Sequence, residues 1–262
     1  MTFALVASEL PTTLTFPLVG LLAGLAIGLT GMGGGVLLTP IMVLFLGVPP
    51  NVAVSNDLLI SLAVKPVGAL AHGRAGTVRR DLVMRLAAGS IPAAFLGAAL
   101  VNTWFDDSPQ VLKHLIGATL LVATGMMVVR LFSGSTQSVA VPAARTVPTV
   151  AIGVVGGLLV GMTSVGSGSL MLVLLSILYP TMASRTLVGT DIAQAIPLIA
   201  AAALGHLLFG EVHLSIVLPV LLGAFPGVWL GSRWSVRMPD RALRPTLLVL
   251  VGASGLKLVG VI

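Results

Sequence analysis

Long, nearly uncharged apolar stretches dominate this chain, among them Pro17–Leu29, Leu82–Val101 and Leu115–Val129. A helix of about 20 apolar residues matches the hydrocarbon core of a bilayer. Only 8% of the 262 residues are Asp, Glu, Lys or Arg, against about a quarter in ordinary soluble domains. So few charges cannot clothe a water-soluble surface, so the sequence predicts an all-α polytopic membrane protein. The 31 Gly and 16 Pro fit that reading, because membrane helices tolerate both. Cys is absent, which excludes disulfides, thiolate metal sites and Cys nucleophiles. The net charge of +6 reads as topology rather than nucleic-acid binding, since cytoplasmic loops collect Arg and Lys. Met1–Thr15 has no Lys or Arg, so no cleaved secretory signal is expected.

The chain repeats itself. Gly20, Ala26 and Gly28–Gly35 have partners in Gly153, Leu159 and Gly161–Gly168. After one residue of slippage a constant offset pairs Asn56–Asp57 with Thr190–Asp191, His72 with His206 and Gly76 with Gly210. The same offset pairs Gly89 and Pro92 with Gly223 and Pro226, and Gly97 with Gly231. Eight hydrophobic segments follow, at roughly 16–47, 52–71, 81–102, 111–131, 149–180, 185–206, 213–232 and 244–262. Residues 1–131 form the first repeat, 132–148 a cytoplasmic linker with turn-forming Ser, Gly and Pro, and 149–262 the second repeat.

Charge suggests how the repeats are inserted. Arg74, Arg79, Arg80 and Arg85 place the second loop of the first half inside, and Asp106 and Asp107 place the next loop outside. In the second half the equivalent of the Arg74 loop holds Glu211 and no Arg. The equivalent of the acidic loop holds Arg233, Arg237, Arg241 and Arg244. By the positive-inside rule the halves are two inverted structural repeats, each a Gly-broken re-entrant or discontinuous helix plus three transmembrane helices. All eleven arginines, Arg130, Arg145 and Arg185 among them, then lie inside. The rival arrangement is eight plain crossings with parallel repeats, which puts one Arg-rich loop outside.

Inverted repeats with paired broken helices mark secondary transporters. A break frees backbone N–H groups and a partial positive charge at the next helix start, and a small anion can satisfy them. The candidate anion ligands are Thr30, Gly33, Gly34, Gly35 and Asn56 in the first half. In the second half they are Thr163, Ser164, Gly166, Ser167, Gly168, Thr190 and Gln194, with Ser169 adding a further hydroxyl. Against this, small residues also serve simply to let membrane helices pack closely.

Ionisable residues inside a span are functional candidates. Asp57 and Asp191 are either proton carriers, since a desolvated carboxylate can cycle, or helix caps and ion-pair partners. Lys65 either pairs with an anion or one of these carboxylates, or snorkels to the surface. His72 and His206 occupy equivalent helix ends, where structural roles are common; with Asp57, Lys65 and Asp191 they form the candidate coupling or charge-tuning set. Gly252–Ala253–Ser254–Gly255 fits the nucleophile pattern of intramembrane serine proteases, but no His follows His213. No metal motif is present, and no cofactor is expected.

These residues, in this order and duplicated, resemble the sulfite exporter TauE/SafE family, also called the four-toluene-sulfonate uptake permeases. The resemblance rests on Gly31–Met32–Gly33–Gly34–Gly35, Asn56–Asp57–Leu58–Leu59 and Lys65, and on Thr163–Gly168 followed by Gly189–Thr190–Asp191. It covers nearly the whole chain. It implies a non-enzymatic transporter of small oxoanions such as sulfite, sulfoacetate, other sulfonates or thiosulfate, in a bacterial cytoplasmic membrane. Many members carry Gly-Thr-Asp where this first half has Ser55–Asn56–Asp57, so no single substrate is implied. Expected partners are the anion, the lipid bilayer and a second copy of the chain, with no nucleic acid. The alternatives are a passive anion channel, an intramembrane hydrolase, or an assembly subunit without transport of its own.

Overall fold

The computed structural model describes residues 12–30, 34–74, 78–105, 108–132, 144–235 and 240–261. Every regular element among them is helical. The order is α1 (Thr12–Thr30), a 3-10 turn (Gly34–Val36), α2 (Leu38–Phe45), α3 (Pro50–Arg74), α4 (Arg80–Trp104) and α5 (Pro109–Phe132). There follow α6 (Thr146–Thr163), α7 (Leu170–Leu178), α8 (Ser184–Phe209), α9 (Leu214–Ser235) and α10 (Asp240–Val259). Among the described residues, five helices are long and apolar enough to cross a membrane: α4, α5, α6, α8 and α9. Large apolar side chains such as Leu22, Leu96, Leu222 and Val249 are exposed on the outer faces, where lipid rather than water is a favourable solvent.

The two longest expected segments are each broken. α1 stops at Thr30 and α2 begins at Leu38; α6 stops at Thr163 and α7 begins at Leu170. The second break has a local cause. Ser164 is left-handed at φ 58°, and Gly166 and Gly168 take φ values of 116° and 109°, which glycine adopts without a Cβ clash. The chain then turns back. A Cβ at Gly156 in α6 would meet the side chain of Met171 in α7 at 2.6 Å, a contact that a continuing straight helix cannot make. Helix α6 (18 residues) rises about 27 Å and α7 (9 residues) about 13 Å. The turn at 164–169 and the side chain of Tyr179, just past α7, together make up the remaining distance. Its hydroxyl accepts from the Arg145 amide at 2.9 Å and lies 2.6 Å from Thr149 Oγ1 at the start of α6. The hairpin therefore begins and ends on the same side.

Packing between the halves is reciprocal. Helix α1 packs on α9, while α4 packs on α6. Glycines make both contacts close. A Cβ at Gly24 would lie 2.4 Å from the Ala224 carbonyl oxygen, and one at Gly157 would lie 2.4 Å from that of Ser90. The sequence offset relates these two contacts to each other. Close backbone approach through small residues is how membrane helices gain packing energy when both solvent and side chains are apolar. Helices α3 and α8 pack on one another, and α5 packs on α10.

Several helices end differently from the expected segments. The stretch 52–71 extends to Pro50–Arg74, and α6 starts within the expected linker. Gly31–Gly33, Gly76, Asp106, Asp107, Arg237 and residues 133–143 lie outside the described residues, as do the side chains of Thr30, His72 and Arg130.

Candidate functional site

The two breaks meet in the protein interior. Gly35, in the turn after the first break, lies directly against the backbone of Ser164, which opens the second. Asp57 on α3 ties them together. Its Oδ2 accepts from Thr39 Oγ1 of α2 at 2.6 Å and from Ser164 Oγ at 2.8 Å, and its Oδ1 accepts from Ser61 Oγ at 3.3 Å. Asp57, Ser61 and Lys65 follow one another at i, i+4 and i+8, so they share one face of α3. Lys65 Nζ donates to Ser167 Oγ at 2.7 Å, within the second break. Asp191 on α8 is buried as well. A single polar face of α3 thus runs along the turn of the second hairpin.

Among the described residues, Ser169 Oγ, at the end of the second break, and Gln194 Oε1 are buried without a hydrogen-bond partner. The other end of the Gln194 amide donates from Nε2 to Ser90 Oγ at 2.7 Å. Asp191 and Gln194 lie three residues apart on α8 and so share a face. Thr163 serves its own turn, donating to the Leu159 carbonyl at 2.7 Å and accepting from the Val165 amide at 3.2 Å. Gly34 opens the 3-10 turn.

Asn56 and Thr190, expected as anion ligands, are engaged elsewhere. Asn56 Oδ1 accepts from the His213 amide at 2.9 Å, just before α9. Thr190 Oγ1 accepts from the Arg79 amide at 3.0 Å, just before α4. The spacing that relates Asn56 to Thr190 also relates Arg79 to His213, so each half caps a helix start in the other. Arg79, the N-cap residue of α4, has no side-chain cap of its own, and an unmet amide at a helix start is costly in an apolar medium.

His206 is fully buried among four helices. Asn102 Nδ2 is fixed as a donor by the Ala98 carbonyl at 2.7 Å, and its second hydrogen faces His206 Nδ1 at 3.0 Å. Ser55 Oγ lies 2.8 Å from the same Nδ1. On the other side of the ring, Nε2 faces the Gly161 carbonyl oxygen at 2.8 Å and must donate. The partners therefore fix a neutral ring with its proton on Nε2, which satisfies a carbonyl at the C-terminal end of α6.

The family described as sulfite exporter TauE/SafE matches residues 16–258. The chain belongs to the TauE/SafE family. Its relatives include the probable membrane transporter protein YjnA of Bacillus subtilis (strain 168), 38% identical over 251 residues. That match covers 92% of this chain and 98% of YjnA. The probable membrane transporter protein YdhB of the same organism is 24% identical over 243 residues, covering 92% of this chain and 98% of YdhB. No solved structure matches the chain. Membership and the apolar helices together make this TauE/SafE chain a multi-pass membrane protein related to transporters.

Sequence reasoning missed Thr39, Ser61, Ser90 and Tyr179. Ser61 was signalled by its place four residues after Asp57. Thr39 is the one polar side chain in an apolar stretch, and Tyr179 is the only tyrosine of the chain.

Proposed function

We propose that this protein is a secondary transporter of small oxoanions, of the sulfite, sulfonate or thiosulfate class, with protons as the coupling ion. The reading rests on one observation above all. At the contact between the two breaks, the Lys65 ammonium sits on Ser167 beside glycine-built backbone and hydroxyl donors. An anion arriving there gains a cation, the amides around Gly166 and Gly168, and the hydroxyls of Ser167 and Ser169. Charge-assisted hydrogen bonds of this kind are the strong ones. Asp57 and Asp191 carry the coupling proton in this scheme.

The reciprocal contacts support two inverted repeats, 1–131 and 149–262, joined by the linker 132–148. In that arrangement the Tyr179 end of the second hairpin, with Arg79, Arg80, Arg85, Arg145 and Arg185, faces the cytoplasm. The membrane is the cytoplasmic membrane of a bacterium, which the Bacillus relatives support. Exchange of the site between the two faces proceeds by one bundle rocking against the other.

Uptake of radiolabelled sulfite, sulfoacetate, thiosulfate and methanesulfonate into liposomes containing the purified protein tests the proposal. Accumulation above the outside concentration under an imposed pH gradient is the expected result. Flux that only equilibrates would instead make the protein a passive channel, and no flux with no binding would remove the anion reading.

A further inference from the structure

We infer that the end of the molecule where the second hairpin begins and ends carries a binding site for the headgroup phosphate of an anionic phospholipid, centred on Arg85. The inference stands apart from the transport reading, because it concerns the lipid around the protein rather than the solute it carries.

Helices α4, α6 and α8 all start at this end. Their opening turns and the residues just before them carry Arg79, Arg80, Arg85, Arg145 and Arg185. Asp81 is the only acidic side chain in the first turns of these three helices. Asp81 is committed to Arg79, which donates to Oδ1 from Nε at 2.9 Å and to Oδ2 from Nη2.

Arg85 is left without an acceptor. Its Nη1 lies 3.6 Å from Asp81 Oδ2, beyond hydrogen-bond reach. The same Nη1 is buried with no hydrogen-bond partner among the described residues. A surface arginine ordinarily meets water with its donors, and a desolvated donor on a charged group is costly to leave unmet. The side chain as a whole is 32% exposed, so an acceptor arriving from outside can reach the guanidinium.

Arg145 stands at the same level on the neighbouring helix. Helices α4 and α6 run parallel in backbone contact. A Cβ at Gly89 would lie 2.3 Å from the Val150 carbonyl oxygen, and one at Gly97 would lie 2.6 Å from that of Leu158. Arg85 precedes Gly89 by about one turn, and Arg145 precedes Val150 by little more. Apolar surface adjoins both arginines: Met84 is 73% exposed and Val147 80%. A soluble anion gains nothing from such surface, whereas a phospholipid meets it with its acyl chains. Guanidinium groups match phosphate oxygens in a fork, and basic pockets between membrane helices suit anionic headgroups.

The test is native mass spectrometry of the full-length protein in detergent, with phosphatidylglycerol or phosphatidylcholine added. Phosphatidylglycerol should be retained about tenfold more tightly than phosphatidylcholine. R85Q should cut that preference to within about twofold, and R145Q should weaken it about threefold. R233Q removes an arginine stacked on Trp229 of α9 and is the charge-matched control; it should leave the preference intact. An equal loss in R233Q would make the attraction a matter of net charge and overturn the site. Displacement of the lipid by millimolar inorganic phosphate would overturn the lipid assignment. Should R85Q fail to fold, equal retention of the two lipids by the wild type overturns the inference alone.

Discussion

Gly35 sits so close to Ser164 that a Cβ at position 35 would lie 1.8 Å from the Ser164 carbonyl oxygen. Two segments far apart in sequence meet here backbone to backbone, with Asp57 fastened to the flank of each. The contact leaves no room for adjustment by a side chain rotamer, because the obstacle is main chain.

The substitution G35A is therefore expected to destabilise the protein by about 1–3 kcal/mol, the usual cost of overpacking, and to depress transport more than stability. Thermal unfolding in detergent and uptake per folded molecule measure the two effects. The control is G125A on α5, where a Cβ meets nothing within 4 Å. There alanine is neutral or stabilising by up to about 1 kcal/mol through helix propensity.

N56A and T190A each strip an acceptor from a main-chain amide, at His213 and Arg79 respectively. Each is expected to cost about 1–3 kcal/mol, the penalty for an orphaned buried donor. Because the two caps fasten different helix starts, the double variant should be additive within about 0.5 kcal/mol. Anion affinity should stay within a few-fold of wild type. A tenfold loss of affinity in either single variant would return these residues to the ligand set.

His206 ties α3, α4 and α6 to α8 through a neutral ring. H206L leaves the Gly161 carbonyl without its side-chain donor and Asn102 Nδ2 with only the Ala98 carbonyl, and a loss of about 2–4 kcal/mol is expected. The pH dependence of transport should be unaltered in any variant at this position that still folds, since the ring does not take part in proton movement. A shifted pH profile in H206Q would contradict the tautomer assignment.

A chain without cysteine lends itself to topology mapping. Single cysteines at Ala144 and Thr181 flank the open end of the second hairpin, where it begins and ends, and a cysteine at Glu211 lies beyond the opposite end of α8. An impermeant maleimide added to intact cells should label only the Glu211 position. Labelling at Ala144 would reverse the orientation, and labelling at both ends of the hairpin from opposite sides would make it a crossing helix.

Much of this fold is written locally. Apolar length gives the helices, and Gly166 and Gly168 mark a break because only glycine sits comfortably at their backbone angles. The offset between the halves follows from scarce residues such as Asp57 and Asp191. The pairing of Asn56 with His213 could not be read this way. It joins one half to the other, and nothing near Asn56 in sequence distinguishes a side chain aimed at a ligand from one aimed at a distant amide. The same holds for Tyr179, whose hydroxyl matters only because the chain doubles back by the right length. Among the expected ligands, Asn56 and Thr190 have their hydrogen-bond partners across the repeat boundary. Lys65, by contrast, was foreseen as a cation within a span, and it does lie at the junction of the breaks.

The crossed packing of α1 on α9 and α4 on α6 has a consequence for biogenesis. When the ribosome has delivered the first four segments, the glycine faces of α1 and α4 have nothing to close against, because their partners are still unmade. The early half must wait in the lipid, incompletely packed, until residues 214–235 have been inserted. Assembly is then a late, concerted event, and fragments severed at the linker should regain a working carrier only when both are supplied to the same membrane.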